Sequence, residues 1–439
     1  MTVSQQEQTA IWDKLFKVKE RQSTVMRELF AGCTSFLCVA YILAVNPIIL
    51  GEAGMDMGAV FTATAVSAFI MTLVLSLYAN APFVGVAGMG INAFLAYTVV
   101  VQMGHSFMFA LTAQLLSGLI FLLITVTPFK DLLFNAIPQN IKLAVTAGIG
   151  LFITMIGLGS SGIIVATPGT MVGIGSLHNP AVLITLIGII LIAVFTVRQV
   201  KGGIFLAVII CTCLAWGIGL TQLPDKVVAM PPSMGPVMGK FDWDEVMQAD
   251  MLFVTFTFLF VNLFNVVGVT IGLTDQVKVS GEESRKTNGR SMAAAALGTV
   301  VASLLGTSAH IVAVESAAGI AEGGRTGLTA LTAAVLFLAA LFFAPLLMII
   351  PAAATAPVLI VVGLFMVTAV KGVDFEDISE GIPAFLTIIM MPFAYSIGIG
   401  IEWGLVSYVI IKVLTGKHKD ISLIMYVLSL IFIGKELFM

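Results

Sequence analysis

Glu315 is the one charged residue between Ser291 and Ala321, in the stretch "HIVAVESAAGIAEGGRTG". A charge held centrally in a bilayer costs about 2.5–3.5 kcal/mol on insertion scales. A proton, a donor or a ligand must offset that cost. An ionised carboxylate only accepts hydrogen bonds, so a ligand held by it must present a donor; the plain alternatives are protonation or a hydrogen bond to the neighbouring strand. Two amides, Asn262 and Asn265, stand three apart in "FLFVNLFNVVGVTIG" and share a helix face with Phe258, four before Asn262. An aromatic ring and two amides on one stripe make a wall for a flat polar ring. The plain alternative is interhelical hydrogen bonding, worth about 0.6 kcal/mol on average. Asn92 adds a third amide in "PFVGVAGMGINAFLAY", and Thr307, Ser308 and His310 lie just ahead of Glu315. The hydroxyls can cap or line a site, and the imidazole can relay a proton. Backbone N–H groups near Val314 and Ser316, where a helix would start, supply fixed donors.

These residues sit in a chain made for hydrocarbon. Of 439 residues, 59% are hydrophobic and 10% are charged, with a mean hydropathy of +1.08. A soluble domain carries about 25% charge. Charge-free runs extend over Met57–Phe129, Leu143–Val197, Thr326–Val370 and Ile382–Ile401. A span needs roughly 20 apolar residues, so the first run alone can hold three. The runs are apolar on all sides, whereas barrel strands would alternate. The expectation is an all-α polytopic membrane protein. The net charge of -3 and the lack of a basic arm give no footing for nucleic acid. Cys33, Cys38, Cys211 and Cys213 lie in apolar spans without a C-x-x-C pair and read as packing residues, not metal ligands.

Segmentation predicts fourteen spans: 30–51, 59–80, 83–102, 106–128, 140–163, 181–198, 202–220, 250–272, 290–305, 307–321, 326–350, 353–371, 382–397 and 399–415. Residues 421–437 read as a peripheral helix or a fifteenth span. Residues 1–29 form a polar amino-terminal segment in which "IWDKLFKVKE" suits a surface helix. Lys14, Lys17, Lys19, Arg21, Arg27, Lys130, Lys142, Arg198, Lys201, Lys278, Arg285, Lys286, Arg290, Arg325, Lys371, Lys417 and Lys419 all fall on one side of this arrangement. The opposite loops hold only Lys226 and Lys240, among acids. The positive-inside rule then places the amino terminus in the cytoplasm, as expected of a multi-pass protein of the plasma (inner) membrane.

The Pro-rich, acidic loop 221–249 divides the chain into two halves of seven spans. "TSFLCV" at 34–39 is similar to "FTFLFV" at 256–261, and "IGLFITMIGL" at 149–158 to "VGLFMVTAVK" at 362–371. An odd number of spans per half requires inverted repeats, the mark of secondary transporters whose sites lie at broken helices near the midplane. The third span, with Pro82 and glycines 85, 88 and 90, and the tenth, Gly-punctuated after Glu315, both read as a short strand followed by a short helix. Irregular backbone at membrane depth survives only under protein cover or beside water. Two such half-spans can pair their strands. No Walker motif, HExxH or G-x-S-x-G elbow is present. The expectation is not an enzyme, with no cofactor and no metal.

"GMGINAFLAY", "TSFLCVAYILAVNP", "NLFNVVGVTIG" and above all "ESAAGIAEGGRTGLTALTAAVLFLAALFFAPL" resemble the nucleobase–ascorbate transporter family, in its AzgA-like purine permease branch. The resemblance runs from about residue 25 to 416. It implies a core domain of spans 1–4 and 8–11 (30–128 and 250–350) and a gate domain of spans 5–7 and 12–14 (140–220 and 353–415), with 221–249 as an extracytoplasmic connector and 416–439 as a tail carrying the peripheral helix. It also implies Glu315 as substrate anchor, Asn92 as the third-span amide, and Asn265 where the family has an acid. Asn265 cannot titrate, so Glu315 would carry proton coupling alone. The implied function is proton-linked import of a purine base by an elevator-like movement of core against gate, with homodimers through the gate fitting the family. Guanine offers N1–H beside a 2-amino group and hypoxanthine offers N1–H, whereas adenine lacks N1–H; guanine and hypoxanthine are favoured. Adenine, xanthine or uracil permeases of the same fold are the near alternatives. An anion transporter of this architecture would want a cation where Glu315 stands.

Overall fold

A computed structural model describes residues 12–127, 137–167, 170–224, 226–277 and 281–438. Lys130 and Lys278, used in the charge reading, lie outside the described residues. The first half comprises α1 (Val25–Val39), α2 (Ile42–Glu52), α3 (Met57–Leu77), β1 (Gly85–Ala87), α4 (Met89–Ala93) continuing as a π-helical stretch over Phe94–Gln102, α5 (Phe107–Val126), α6 (Gln139–Ser160), β2 (Ile164–Thr167), β3 (Met171–Ile174), α7 (Pro180–Val197) and α8 (Gly203–Gly217). The second half comprises α9 (Ala249–Val277), α10 (Gly281–Leu305), β4 (His310–Val312), α11 (Ser316–Ala321), α12 (Gly327–Ala340), α13 (Ala344–Met348), α14 (Ala352–Val367), α15 (Ile378–Phe393), α16 (Ile397–Leu414) and α17 (Leu423–Phe438).

Among the described residues, nine helical stretches are long and apolar enough to cross a bilayer. The other five expected segments depart for physical reasons. Segments 85–102 and 310–321 are part strand, α8 and α15 are short, and α10 begins with the charged Glu282, Glu283, Arg285 and Lys286. Together they account for the fourteen segments of the sequence reading. α17 lays Phe432 edge-on against Phe253 and Phe256, with ring centroids 6.0 and 5.9 Å apart.

The two broken segments meet. β1 and β4 pair antiparallel, with Gly85 opposite Val312, Val86 opposite Ile311 and Ala87 opposite His310. Each strand thus satisfies the other's backbone groups in the interior, where water cannot. The flanking backbone extends the pairing: Gly88 N–H donates to Ala309 C=O and Ala313 N–H to Val84 C=O.

Extensive packing runs within two sets of helices. α12 packs on α3 and α1, α10 on α5 and α3, and α9 on α5. Separately, α14 packs on α6 and α7, and α15 on α16 and α6. The α6–α14 contact is a small-residue seam: a Cβ added at Gly150 would lie 2.6 Å from Gly363 O, and one at Gly363 would lie 2.5 Å from Gly150 O. Apolar helices associate in lipid through such close backbone approach.

Two features differ from the sequence reading. The first span is interrupted at Ala40–Tyr41, where the chain tightens into bonds from Leu43 N–H to Ala40 C=O and from Ala44 N–H to Tyr41 C=O. The link after α6 folds into a hairpin, with Ile164 opposite Ile174 and Thr167 opposite Met171. The strands "IVAT" and "MVGI" do not alternate, and their β-branched Ile164, Val165, Thr167, Val172 and Ile174 are the strand-favouring feature.

Candidate functional site

A cavity of about 270 Å³ opens where α4, β4 and α9 face α6 and α14. Glu315, Asn265 and Val314 line it, as do Tyr41, Phe365 and Thr146. Glu315 is carried just beyond β4, immediately before α11, so the strand break delivers its carboxylate to the cavity wall. Tyr41 supplies the donor that the sequence reading required: its hydroxyl donates to Glu315 Oε1 at 2.8 Å. Tyr41 is itself only 1% exposed and sits at the interruption of the first span. A carboxylate offers about four lone-pair sites, so one phenol leaves acceptor capacity for a ligand.

The remaining expected residues fall elsewhere. Asn262 is buried and donates to Thr299 Oγ1 at 2.6 Å, pinning α9 to α10. Phe258 is 1% exposed and packs edge-on against Phe94, with centroids 4.9 Å apart, away from the cavity lining. Ser316 is spent structurally: its hydroxyl accepts from Val84 N–H at 3.0 Å and its own N–H donates to Ala313 C=O. Asn92, Thr307 and Ser308 lie behind the strands. Asn92 donates to Asn46 Oδ1 at 3.0 Å, and Ser308 donates to the same oxygen at 2.8 Å. Asn46 in turn donates to Thr64 and Thr307 hydroxyls, each at 2.8 Å. His310 faces Ser67 Oγ at 3.0 Å and Ser308 C=O at 2.9 Å. Gln114 reaches in from α5, donating to Ser303 Oγ and Thr307 C=O and accepting from Ala309 N–H.

This buried network holds the strand crossing rigid beside the cavity. Its hub, Asn46, was missed by the sequence reading, although an amide directly before Pro47 in an apolar run was the available signal. Tyr41, Phe365 and Thr146 carried no such signal, because aromatic and hydroxyl residues are ordinary packing in spans. What the site can do chemically is hold a flat group between aliphatic and aromatic walls, with a carboxylate, a phenol and an amide at its rim.

The Permease family model Xan_ur_permease matches residues 26–402. The guanine/hypoxanthine permease PbuG of Bacillus subtilis (strain 168) is 39% identical, over 95% of this chain and 98% of that protein. The adenine permease AdeP of Escherichia coli (strain K12) is 36% identical, over 97% of this chain and 96% of that protein. The transmembrane domain of the cyanobacterial bicarbonate transporter BicA superposes with a TM-score of 0.63 at 16% identity, covering 85% of this chain and 97% of that domain, and so shares its fold. With a match over nearly the whole membrane region and full-length relatives at this identity, the chain belongs to this permease family, the nucleobase–ascorbate transporters.

Proposed function

We propose that this protein imports purine nucleobases, guanine and hypoxanthine before adenine, by proton symport across the plasma membrane. The observation that carries the reading is a carboxylate, Glu315, on the wall of a largely apolar cavity with one phenol donor on Oε1. The ionised form accepts N1–H and the 2-amino group of guanine side by side, or N1–H of hypoxanthine. Adenine has no N1–H and would need the carboxyl protonated. Relatives named for guanine/hypoxanthine and for adenine stand at similar identity; the carboxylate chemistry favours the former. Asn265, donor and acceptor, reads the opposite edge of the base, and Phe365 provides an aromatic wall.

In this reading Glu315 also carries the coupled proton, since the eighth-span position beside it is the amide Asn265. The two packing sets serve as core and gate, and the core with its strand crossing moves as a unit against α6, α7, α8, α14, α15 and α16. The cavity reaches α6 and α14 at Thr146 and Thr368, near the Lys142 and Lys371 ends that the charge pattern assigns to the cytoplasm. The test is uptake of radiolabelled hypoxanthine in proteoliposomes, with a panel of competing bases and with or without a proton gradient. Glu315→Gln should abolish or severely weaken uptake; near-normal uptake would remove the anchoring role. Competition by sulfate in place of neutral purines would sink the substrate class.

A further inference from the structure

A second cavity, of about 220 Å³, lies at the other end of the same helices. Glu52, Tyr97, Tyr395, Ser160 and Thr355 are among the residues that line it. The two cavities share helix faces. Along α14 the stripe runs Thr355 and Leu359 on the second cavity, then Val362 and Met366 on the first. Along α2 it runs Ile42 on the first, then Val45, Ile49 and Glu52 on the second. Steps of three and four residues keep each stripe on one side of its helix, so both cavities lie on one line through the protein. Ser160 ends α6, the helix whose opposite end carries Lys142. By the charge pattern the second cavity is therefore the extracytoplasmic one.

A path meant only to stay shut would be plugged with apolar side chains. This one holds an exposed carboxylate, Glu52, and two phenols. Tyr395 is held at φ +52, a left-handed conformation that costs a non-glycine residue energy. Two side chains of the third segment hold its turn: Gln102 donates to Ala394 C=O at 3.1 Å and Thr98 to Tyr395 C=O at 3.4 Å. Its ring meets Tyr97 and Phe152 edge-on, with centroids 6.1 and 5.4 Å apart.

We propose that this outer cavity is a second binding station for the transported base, where Glu52 accepts an N–H of the incoming heterocycle and Tyr97 and Tyr395 flank its ring. The inference rests on the purine reading above and adds an outer station to it. The base first docks here, and release of the Tyr395 turn from the third segment admits it to Glu315.

Sided kinetics test it. In proteoliposomes of uniform orientation, Glu52→Gln should raise the KM for hypoxanthine influx about fivefold and leave the efflux KM unchanged. No change in either direction, or an equal rise in both, overturns the station. The purine reading is judged separately, by whether the parent chain takes up hypoxanthine saturably. As a second measurement, Ser160→Cys is placed in a chain whose Cys33, Cys38, Cys211 and Cys213 are replaced by Ala. A membrane-impermeant thiol reagent applied from outside should label it. Hypoxanthine should slow labelling even when Glu315→Gln is also present. Failure to label, or protection that vanishes with Glu315→Gln, overturns the proposal.

Discussion

The Tyr41–Glu315 bond decides how the site holds its ligand at the scale of single residues. A hydrogen bond to a charged group is worth about 1.5–3 kcal/mol, and each 1.4 kcal/mol is roughly tenfold in affinity. Tyr41→Phe keeps the ring and removes the donor that fixes Glu315 Oε1. The expected outcome is a KM for hypoxanthine uptake raised at least tenfold, with protein level in the membrane unchanged. The two eighth-span amides make a contrasting pair. Asn265→Ala should raise KM with little effect on thermal unfolding in detergent, because Asn265 lines the cavity. Asn262→Ala should lower the melting temperature and leave KM alone, because its amide is committed to Thr299. Equal KM effects from both would show that the cavity lining is misassigned. The carboxylate was legible in the sequence because a charge in hydrocarbon is costly wherever it stands. The phenol was not, since nothing local relates two residues that are 274 positions apart. Asn262 and Asn265 share a helix face, yet small differences in direction send one to a neighbouring helix and the other to the cavity.

At the scale of elements, Pro82 and glycines marked the broken third segment, and small, β-branched and glycine residues around Glu315 marked the tenth, because helix-poor sequence at membrane depth has few alternatives. The break in the first span had no such mark. Pro47 sits inside α2, and the interruption lies at Ala40–Tyr41, where ordinary helix formers stand. The α6–α14 seam makes a second kind of prediction. Gly363→Val pushes side-chain atoms onto the backbone of Gly150, which cannot swing aside. Overpacking of this kind costs about 1–3 kcal/mol or more, to be read as a lower unfolding temperature in detergent. Gly159→Ala, whose added Cβ meets no neighbouring element within 4 Å, is the control that should not lower the unfolding temperature. At the start of α15, Asp377 is held down at about 2 by the Ser379 hydroxyl first and then by Lys417. A depressed carboxylate contributes stability that is complete above its ordinary range and lost only as pH falls through the folded value. Asp377 therefore stays ionised throughout pH 5–8. Asp377→Asn should leave the shape of the uptake–pH profile in that window unaltered; a displaced profile would move the proton-linked step away from Glu315.

At the scale of the whole molecule, the count of segments and the inverted halves were readable because lysine and arginine placement integrates over the entire chain. Which helices pack together was not readable from composition, since apolar spans look alike; only the family resemblance offered a grouping. The α7–α8 turn and the end of α11 belong to different packing sets, and one ion pair joins them, Lys201 to Glu322. Its members are 60% and 28% exposed, so it adds only about 0–1 kcal/mol to stability. As a contact made in one state and broken in another, however, it shifts the balance of states by its full worth. If the two sets slide past each other during transport, Lys201→Ala and Glu322→Ala should each leave the unfolding temperature unchanged and alter the maximal uptake rate by up to about fivefold. The double variant should match either single one, because both remove the same contact. High salt should shrink the difference from the parent chain, since exposed charges are screened. Identical rates for all of these proteins at every salt concentration would mean that this edge does not separate during the cycle, and the moving boundary would have to be drawn elsewhere.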